Sequence, residues 1–289
     1  MKYFGVVLLW VMWKVFPIQV LNWVGENMGS ILYFLARERR HIGATNLRLC
    51  FPEMDTLARE ALLKRHFRAF GRAALFEAVC WWGSREEIAR LVKIEGMEHI
   101  QAHLGEPLIL FSTHFVGVSA GGIRLTCEFA PMVDIYSPIK NALLNRLAHR
   151  ARQRFGQSEL YSRSEGIRPV LKAVKRGLPF YYLPDMDYGR KDAIFLPLFG
   201  VQAATITGLS RMARATSATV MPTISRQQGN GYVIRLYPAW ENFPTDDIEA
   251  DTRRMNAFIE ERIREMPEQY FWLHKRFKTR PQGEASLYG

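Results

Sequence analysis

From Lys93 onward the chain alternates short apolar runs of strand length with stretches of helical periodicity, and few architectures accept that order. The spacing predicts strands near 92–94, 107–111, 131–136, 180–183, 219–224 and 232–237. Helices are expected near 98–104, 116–128, 140–154, 166–176 and 205–215. Strands separated by helices imply an α/β fold with a mixed, mostly parallel sheet flanked by helices. Gly229-Asn230-Gly231 is a hairpin turn signal, so the last two strands should pair antiparallel. With no repeat and no low-complexity linker, one α/β domain over 36–289 is expected, carrying an N-terminal helical attachment over 1–35.

The segment Tyr3–Val24 is the most apolar, but Lys14, Pro17, Gln19 and Asn22 interrupt it. It contains no uncharged run of about 18 residues, so a spanning helix does not follow. Bulky Trp10, Trp13 and Trp23 and the lack of a small-residue cleavage site argue against a signal peptide. The same tryptophans suit a helix lying at a bilayer surface, where indole sits at headgroup depth. Arg37, Arg39 and Arg40 then place the rest of the chain on the cytoplasmic side. The competing reading is a buried first helix of the core. Beyond it, Ile42–Cys50 is a short helix stopped by Phe51-Pro52. Asp55 or Thr56 caps a long helix to about Trp82, and Ser84 with Glu87 forms a capping box. A formal charge of +11 favours acidic partners: anionic lipid, a phosphorylated substrate, an acidic carrier protein or nucleic acid. Three scattered cysteines, Cys50, Cys80 and Cys127, fit neither a disulfide framework nor a zinc site and point to a reducing compartment.

The stretch 107–122 carries the strongest chemical signal. Pro107–Phe111 reads as a buried strand, Ser112-Thr113-His114 breaks it with polar groups, and a Gly-rich helix follows with close backbone approach at Gly117, Gly121 and Gly122. A histidine at the end of a strand in an open α/β sheet is a common place for chemistry, and also a common polar strand end. Elsewhere, Arg146, His149, Arg150, Arg152 and Arg154 make a basic helix end that reads first as a solvated face. Ser162–Gly166, with Arg163, lies between a strand and a helix, where an anion can be held. Asp185 and Asp187 share a Pro/Gly turn, for which turn formation is the plainer reading than a metal site. Phe195–Gly200 reads as an apolar loop, and Pro267–Pro281 mixes aromatics with cations that suit nucleic acid, a membrane or phosphate.

Six of these blocks, in order, resemble the bacterial lipid A biosynthesis acyltransferases, the late lauroyl/myristoyl transferases. They are Leu110–His114, Arg163–Gly166, Leu183–Gly189, Phe195–Gly200, Ala204–Arg211 and Glu268–Arg276. The resemblance covers nearly the whole chain. It implies a membrane-bound enzyme of the Gram-negative inner membrane, with its catalytic domain on the cytoplasmic face. Such an enzyme moves a fatty acyl chain from acyl carrier protein to a hydroxyl of a phosphorylated glycolipid, a lipid A precursor. No metal or organic cofactor is required. His114 is then the general base, Arg163 or backbone N–H groups near Gly117 serve the oxyanion, and Asp185, Arg190, Arg211, Lys275 and Arg276 are substrate-binding candidates. One position departs from the family pattern of a histidine, four residues and an acid: Ser119 stands where the acid belongs. A serine can hydrogen-bond to the imidazole but cannot stabilise its charged form. An acid at 119 is therefore expected to raise activity, unless one is donated from elsewhere. The alternatives are a glycerophospholipid acyltransferase, which fits the later blocks less well, and a non-catalytic lipid-binding relative. Nucleic-acid binding is the least favoured reading, because the basic residues come without any base- or groove-reading motif.

Overall fold

The computed structural model describes residues 4–289. The N-terminal stretch read as one helix forms two, α1 (Phe4–Val15) and α2 (Ile18–Leu35). Pro17 separates them, since it supplies no backbone N–H to continue α1. They lead into α3 (Arg37–Cys50) and the 27-residue α4 (Thr56–Trp82). Asp55 caps α4 by accepting from the Ala58 N–H at 2.7 Å. Helix α2 runs along α4 with the two backbones nearly touching, because Gly25 and Gly29 face Gly71 and the Phe67 carbonyl. A Cβ at Gly29 or Gly71 would collide with the opposing backbone. The inner side of α2 is thereby fixed to the body of the protein, while Trp23, Ile31, Phe34 and Leu35 on its other side stay exposed.

Next come α5 (Arg85–Leu91), with the expected Ser84–Glu87 capping box, and the α/β body. Its elements are β1 (Val92–Glu95), α6 (Met97–Gln101), β2 (Leu108–Phe111), α7 (Val118–Phe129), β3 (Val133–Tyr136) and α8 (Ala142–Gln153). They continue with β4 (Glu159–Ser162), α9 (Arg168–Lys175), β5 (Phe180–Tyr182), β6 (Ala193–Leu198), β7 (Val201–Ile206) and α10 (Gly208–Thr216). The last are β8 (Thr219–Gln228), β9 (Gly231–Leu236) and α11 (Ile248–Glu265). Seven strands form one sheet in the order β1-β9-β8-β2-β5-β3-β4, parallel throughout except for the β8–β9 hairpin. The expected mixed, mostly parallel sheet is what forms.

Strand β2 is fully buried, and its side chains alternate between two cores. Ile109 and Phe111 join the core under α9, α10 and α11, while Leu108 and Leu110 join the one under α7 and the C-terminal half of α4. One difference is the stretch 195–200, read as a loop. It is the tip of a separate two-stranded hairpin, β6–β7, turning on Phe199 and Gly200, both at positive φ. The helix expected from 205 starts at Gly208, because β7 holds the chain to Ile206.

Among the described residues no helix is long and apolar enough to cross a membrane. At 1.5 Å per residue, the 12 residues of α1 reach roughly 18 Å, well short of a hydrocarbon core of about 30 Å.

Candidate active site

Strands β2 and β5 are parallel neighbours with Phe111 opposite Tyr182. His114 lies three residues beyond Phe111 and Asp185 three beyond Tyr182, so the sheet delivers both to the same carboxyl-terminal edge, where open α/β sheets bind ligands. The two meet there. The His114 Nδ1 is 2.7 Å from Asp185 Oδ1, and the His114 backbone N–H donates to Oδ2 at 2.9 Å. The Asp185 side chain is 1% exposed and that of His114 29%, which leaves the far side of the imidazole open to a substrate. Burial alone would push the Asp185 carboxyl up, but the neighbouring imidazole and the two hydrogen bonds outweigh it and hold the group below its usual range. The buried Tyr270 hydroxyl faces the same carboxylate. Its own pKa is raised well above the usual, first by burial and then by the Asp185 charge.

The loop bearing His114 is held on every side. Ser112 N–H extends the ladder to Tyr182 O at 2.8 Å, and Ser112 Oγ meets the Tyr181 hydroxyl at 3.1 Å. Val116 N–H donates to Gln269 O and Phe271 N–H to His114 O, so the C-terminal segment pairs with this loop like a short extra strand. Helix α7 lies close over β8 and β9, as the glycines predicted. A Cβ at Gly117 would meet the Tyr232 ring, and one at Gly121 the Ser225 hydroxyl. Gly122 has only ordinary contact with Tyr181.

Ser119 does not sit one helical turn above His114. Helix α7 begins only at Val118, so the intervening residues are loop. The Ser119 side chain lies instead beside Glu77, from α4. Burial pushes the Glu77 carboxyl up, and Ser119, Arg152 and Trp81 pull against that. Arg152 also reaches Asp134 of β3, Nε to Oδ2, at 3.1 Å.

The remaining candidates scatter. Arg163 follows β4 on an exposed single turn and stacks over the Tyr188 ring at 4.1 Å, on the loop that carries Asp185. The Ser162 N–H there is already capped by Glu165. Arg190 lies over Phe195 and donates to Arg280 O. Arg211 faces Asp192 at 3.7 Å, and Lys275 faces Glu38 at 3.8 Å. Two substrate-binding expectations conflict with the geometry. Arg276 is 3% exposed and spends its guanidinium on Ala204 O and Thr205 Oγ1, so it ties the C-terminal segment to β7. Asp185 gives both oxygens to His114 and has no face for a substrate. Asp187, by contrast, is a loop former as expected, accepting from Gly189 N–H at 2.9 Å and from Thr279.

Of the basic helix end, Arg154 caps α4 by donating to Gly83 O and Cys80 O. Arg146, His149 and Arg150 line an open cleft of about 560 Å³ along α8. Sequence reasoning did not see the His114–Asp185 pair. The signal for it was the equal spacing of the two residues from the ends of neighbouring parallel strands.

This arrangement can orient a neutral imidazole with Nδ1 protonated and Nε2 free to take a proton, the requirement for activating a hydroxyl. The family model for bacterial lipid A biosynthesis acyltransferases matches residues 1–279. The lipid A biosynthesis lauroyltransferase of Escherichia coli is 33% identical over 293 residues, covering 100% of this chain and 94% of the relative. The E. coli palmitoleoyltransferase is 33% identical over 294 residues, with the same coverage of each. The E. coli myristoyltransferase is 29% identical over 266 residues, 91% of this chain and 82% of the relative. Among solved structures, a 1-acyl-sn-glycerophosphate acyltransferase from Thermotoga maritima covers 83% of this chain and 97% of its own at 13% identity and TM-score 0.40, too loose a likeness to carry function. A match along nearly the full length of the chain settles its place: the chain belongs to the bacterial lipid A biosynthesis acyltransferase family.

Proposed function

We propose that the protein transfers a fatty acyl chain from the thioester of an acyl carrier protein to a hydroxyl of a lipid A precursor, with His114 as general base. The observation that carries this reading is the 2.7 Å contact between His114 and a buried carboxylate, with the other side of the ring open. Asp185 accepts a hydrogen bond from Nδ1–H, which stays on the ring, and His114 Nε2 removes the proton of the acceptor hydroxyl as its oxygen attacks the thioester carbonyl, forming the imidazolium. The tetrahedral oxyanion takes hydrogen bonds from backbone N–H groups at Gly117 and the start of α7. It collapses to the new ester, the C–S bond breaks, and the imidazolium returns its proton to the departing thiolate. Arg163, Arg190, Arg211 and Lys275 supply positive charge for the precursor's phosphates and the acidic carrier, and the chain's +11 charge supports such partners.

The same reading places the protein on the inner membrane with its active site on the cytoplasmic face. Its support is the exposed apolar set on α1 and the outer side of α2: Phe4, Leu8, Trp10, Trp23, Phe34 and Leu35. Such a surface lies in a bilayer interface without crossing it. Mass spectrometry of lipid A from cells lacking the protein tests the function. One acyl chain fewer is expected, and an unchanged acyl count contradicts the reading.

A further inference from the structure

Beyond Phe111 and Tyr182 the ladder between β2 and β5 ends, and Ser112 N–H to Tyr182 O is its last bond. His114 and Asp185 therefore sit on two chain extensions that the sheet no longer holds together. Both extensions instead bond to the same third segment. On one side, Phe271 N–H donates to His114 O at 2.9 Å and Val116 N–H to Gln269 O at 2.8 Å. On the other, Asp187 accepts from Thr279 N–H at 2.7 Å and from Thr279 Oγ1 at 2.8 Å, while its own N–H donates to His274 Nε2 at 3.1 Å.

The third segment is itself firmly seated. Asn46 of α3 donates to Trp272 O at 2.7 Å and His274 O at 2.8 Å, Arg276 is buried against β7, and Phe277 N–H donates to the buried Tyr288 hydroxyl at 3.0 Å. Burial, with Arg276 beside it, pushes His274 down to about 4, so near neutral pH its ring accepts the Asp187 N–H as a neutral group.

We infer that the C-terminal segment Gln269–Thr279 is a clasp that sets the geometry of the histidine–carboxylate pair, with His274 and Thr279 as positioning residues acting through Asp187. This rests on the reading of His114 and Asp185 as the base and its orienting group. It assigns a task to a run of aromatic and cationic residues that otherwise reads as a substrate grip. A base displaced by an ångström loses a large part of its effect, up to roughly a hundredfold, without any change in what it is made of.

The test uses the full-length protein in detergent, assayed for acyl transfer from acyl carrier protein to a lipid A precursor. His114 Nδ1–H is followed in parallel by NMR of histidine-labelled protein. Thr279→Val and His274→Leu should each lower kcat about tenfold or more, leave KM within about twofold, and shift or broaden the His114 resonance. Thr279→Ser and His274→Gln, which keep the donor or acceptor, should restore both readouts, a rescue that separates lost geometry from lost folding. Unchanged kcat and an unchanged resonance in Thr279→Val and His274→Leu overturn the clasp, as does failure of both conservative variants to rescue. Asp185→Asn separates the two layers. If it is costly while Thr279→Val is harmless, the clasp alone fails. If Asp185→Asn is harmless while Thr279→Val disturbs the resonance, the clasp stands and the catalytic reading of the pair fails.

Discussion

Replacing Asp185 by asparagine changes one atom and should nearly abolish turnover. Both oxygens of the carboxylate are acceptors, one for His114 Nδ1–H at 2.7 Å and one for the His114 backbone N–H at 2.9 Å. Asparagine offers one acceptor and one NH₂ group at a site 1% exposed, where water does not make up the difference. If its oxygen serves the backbone N–H, its NH₂ meets Nδ1, which must then be unprotonated. The ring proton moves to Nε2, the atom that has to receive the hydroxyl proton. If the amide is turned over, NH₂ faces the backbone N–H and a buried donor pair is left clashing. The first arrangement is the less costly, and it leaves the base in the wrong tautomer.

In a serine hydrolase the corresponding neutralisation costs about 10⁴ in kcat. A fall of roughly 10³–10⁴ is expected here, about 4–5.5 kcal/mol of transition-state stabilisation. KM should change little, because Asp185 touches no substrate. The assay is transfer of a radiolabelled acyl group to a lipid A precursor, with thermal melting to confirm that the variant is folded. A folded Asp185→Asn protein within about tenfold of the parent kcat would refute the reasoning.

Other expectations follow from the same contacts. Ser119→Glu should change kcat by less than about tenfold, since the imidazole already has its carboxylate and Glu77 lies against position 119; a gain of about a hundredfold or more would show that an acid at 119 is the missing partner. His66 is fully buried with Nδ1 on Glu268 O, and burial pushes it down to about 4, the hydrogen bond only partly offsetting this. A histidine whose folded pKa lies below its unfolded value of about 6.5 contributes stability that is whole above that pH and is lost as the pH falls toward 4, about 2 kcal/mol by pH 5. Urea unfolding at pH 7 and pH 5 should show that loss, and a comparison with His66→Phe that finds the same pH dependence in both counts against it. Leu8→Glu with Trp10→Glu, both on exposed positions of α1, should release the protein from anionic vesicles without lowering its melting temperature, and undiminished binding would move the membrane face elsewhere. Gly71→Leu should destabilise by several kcal/mol, because its side chain would run into the Gly25 and Gly29 backbone and push α2 off α4; a near-neutral effect on melting would disprove the tight helix contact.

The sheet was legible because its strands are short apolar runs punctuated by helical periodicity, and Asp55, Ser84 and Glu87 announce their helices by local chemistry alone. The β6–β7 hairpin was not. A tight turn with two residues at positive φ is normally flagged by Asn-Gly or Asp-Gly, and here a buried Leu-Phe followed by an exposed glycine makes it, with Phe199 at φ 51°. His114 stood out as a polar end to an apolar strand, but its partner is 71 residues away and is set by strand register, which composition does not reveal. Arg276 misled in the opposite sense. In a run of cations it reads as solvent-facing, and only the packing of the C-terminal segment against β7 shows it buried.

The most direct test of the histidine–carboxylate reading is a single mass-spectrometric assay of the purified full-length protein with an acylated carrier protein and a lipid A precursor. The native chain should yield a product heavier by one acyl group, and His114→Ala should form it at least about 10³ times more slowly. Equal product from both proteins, or none from the native chain, would contradict it.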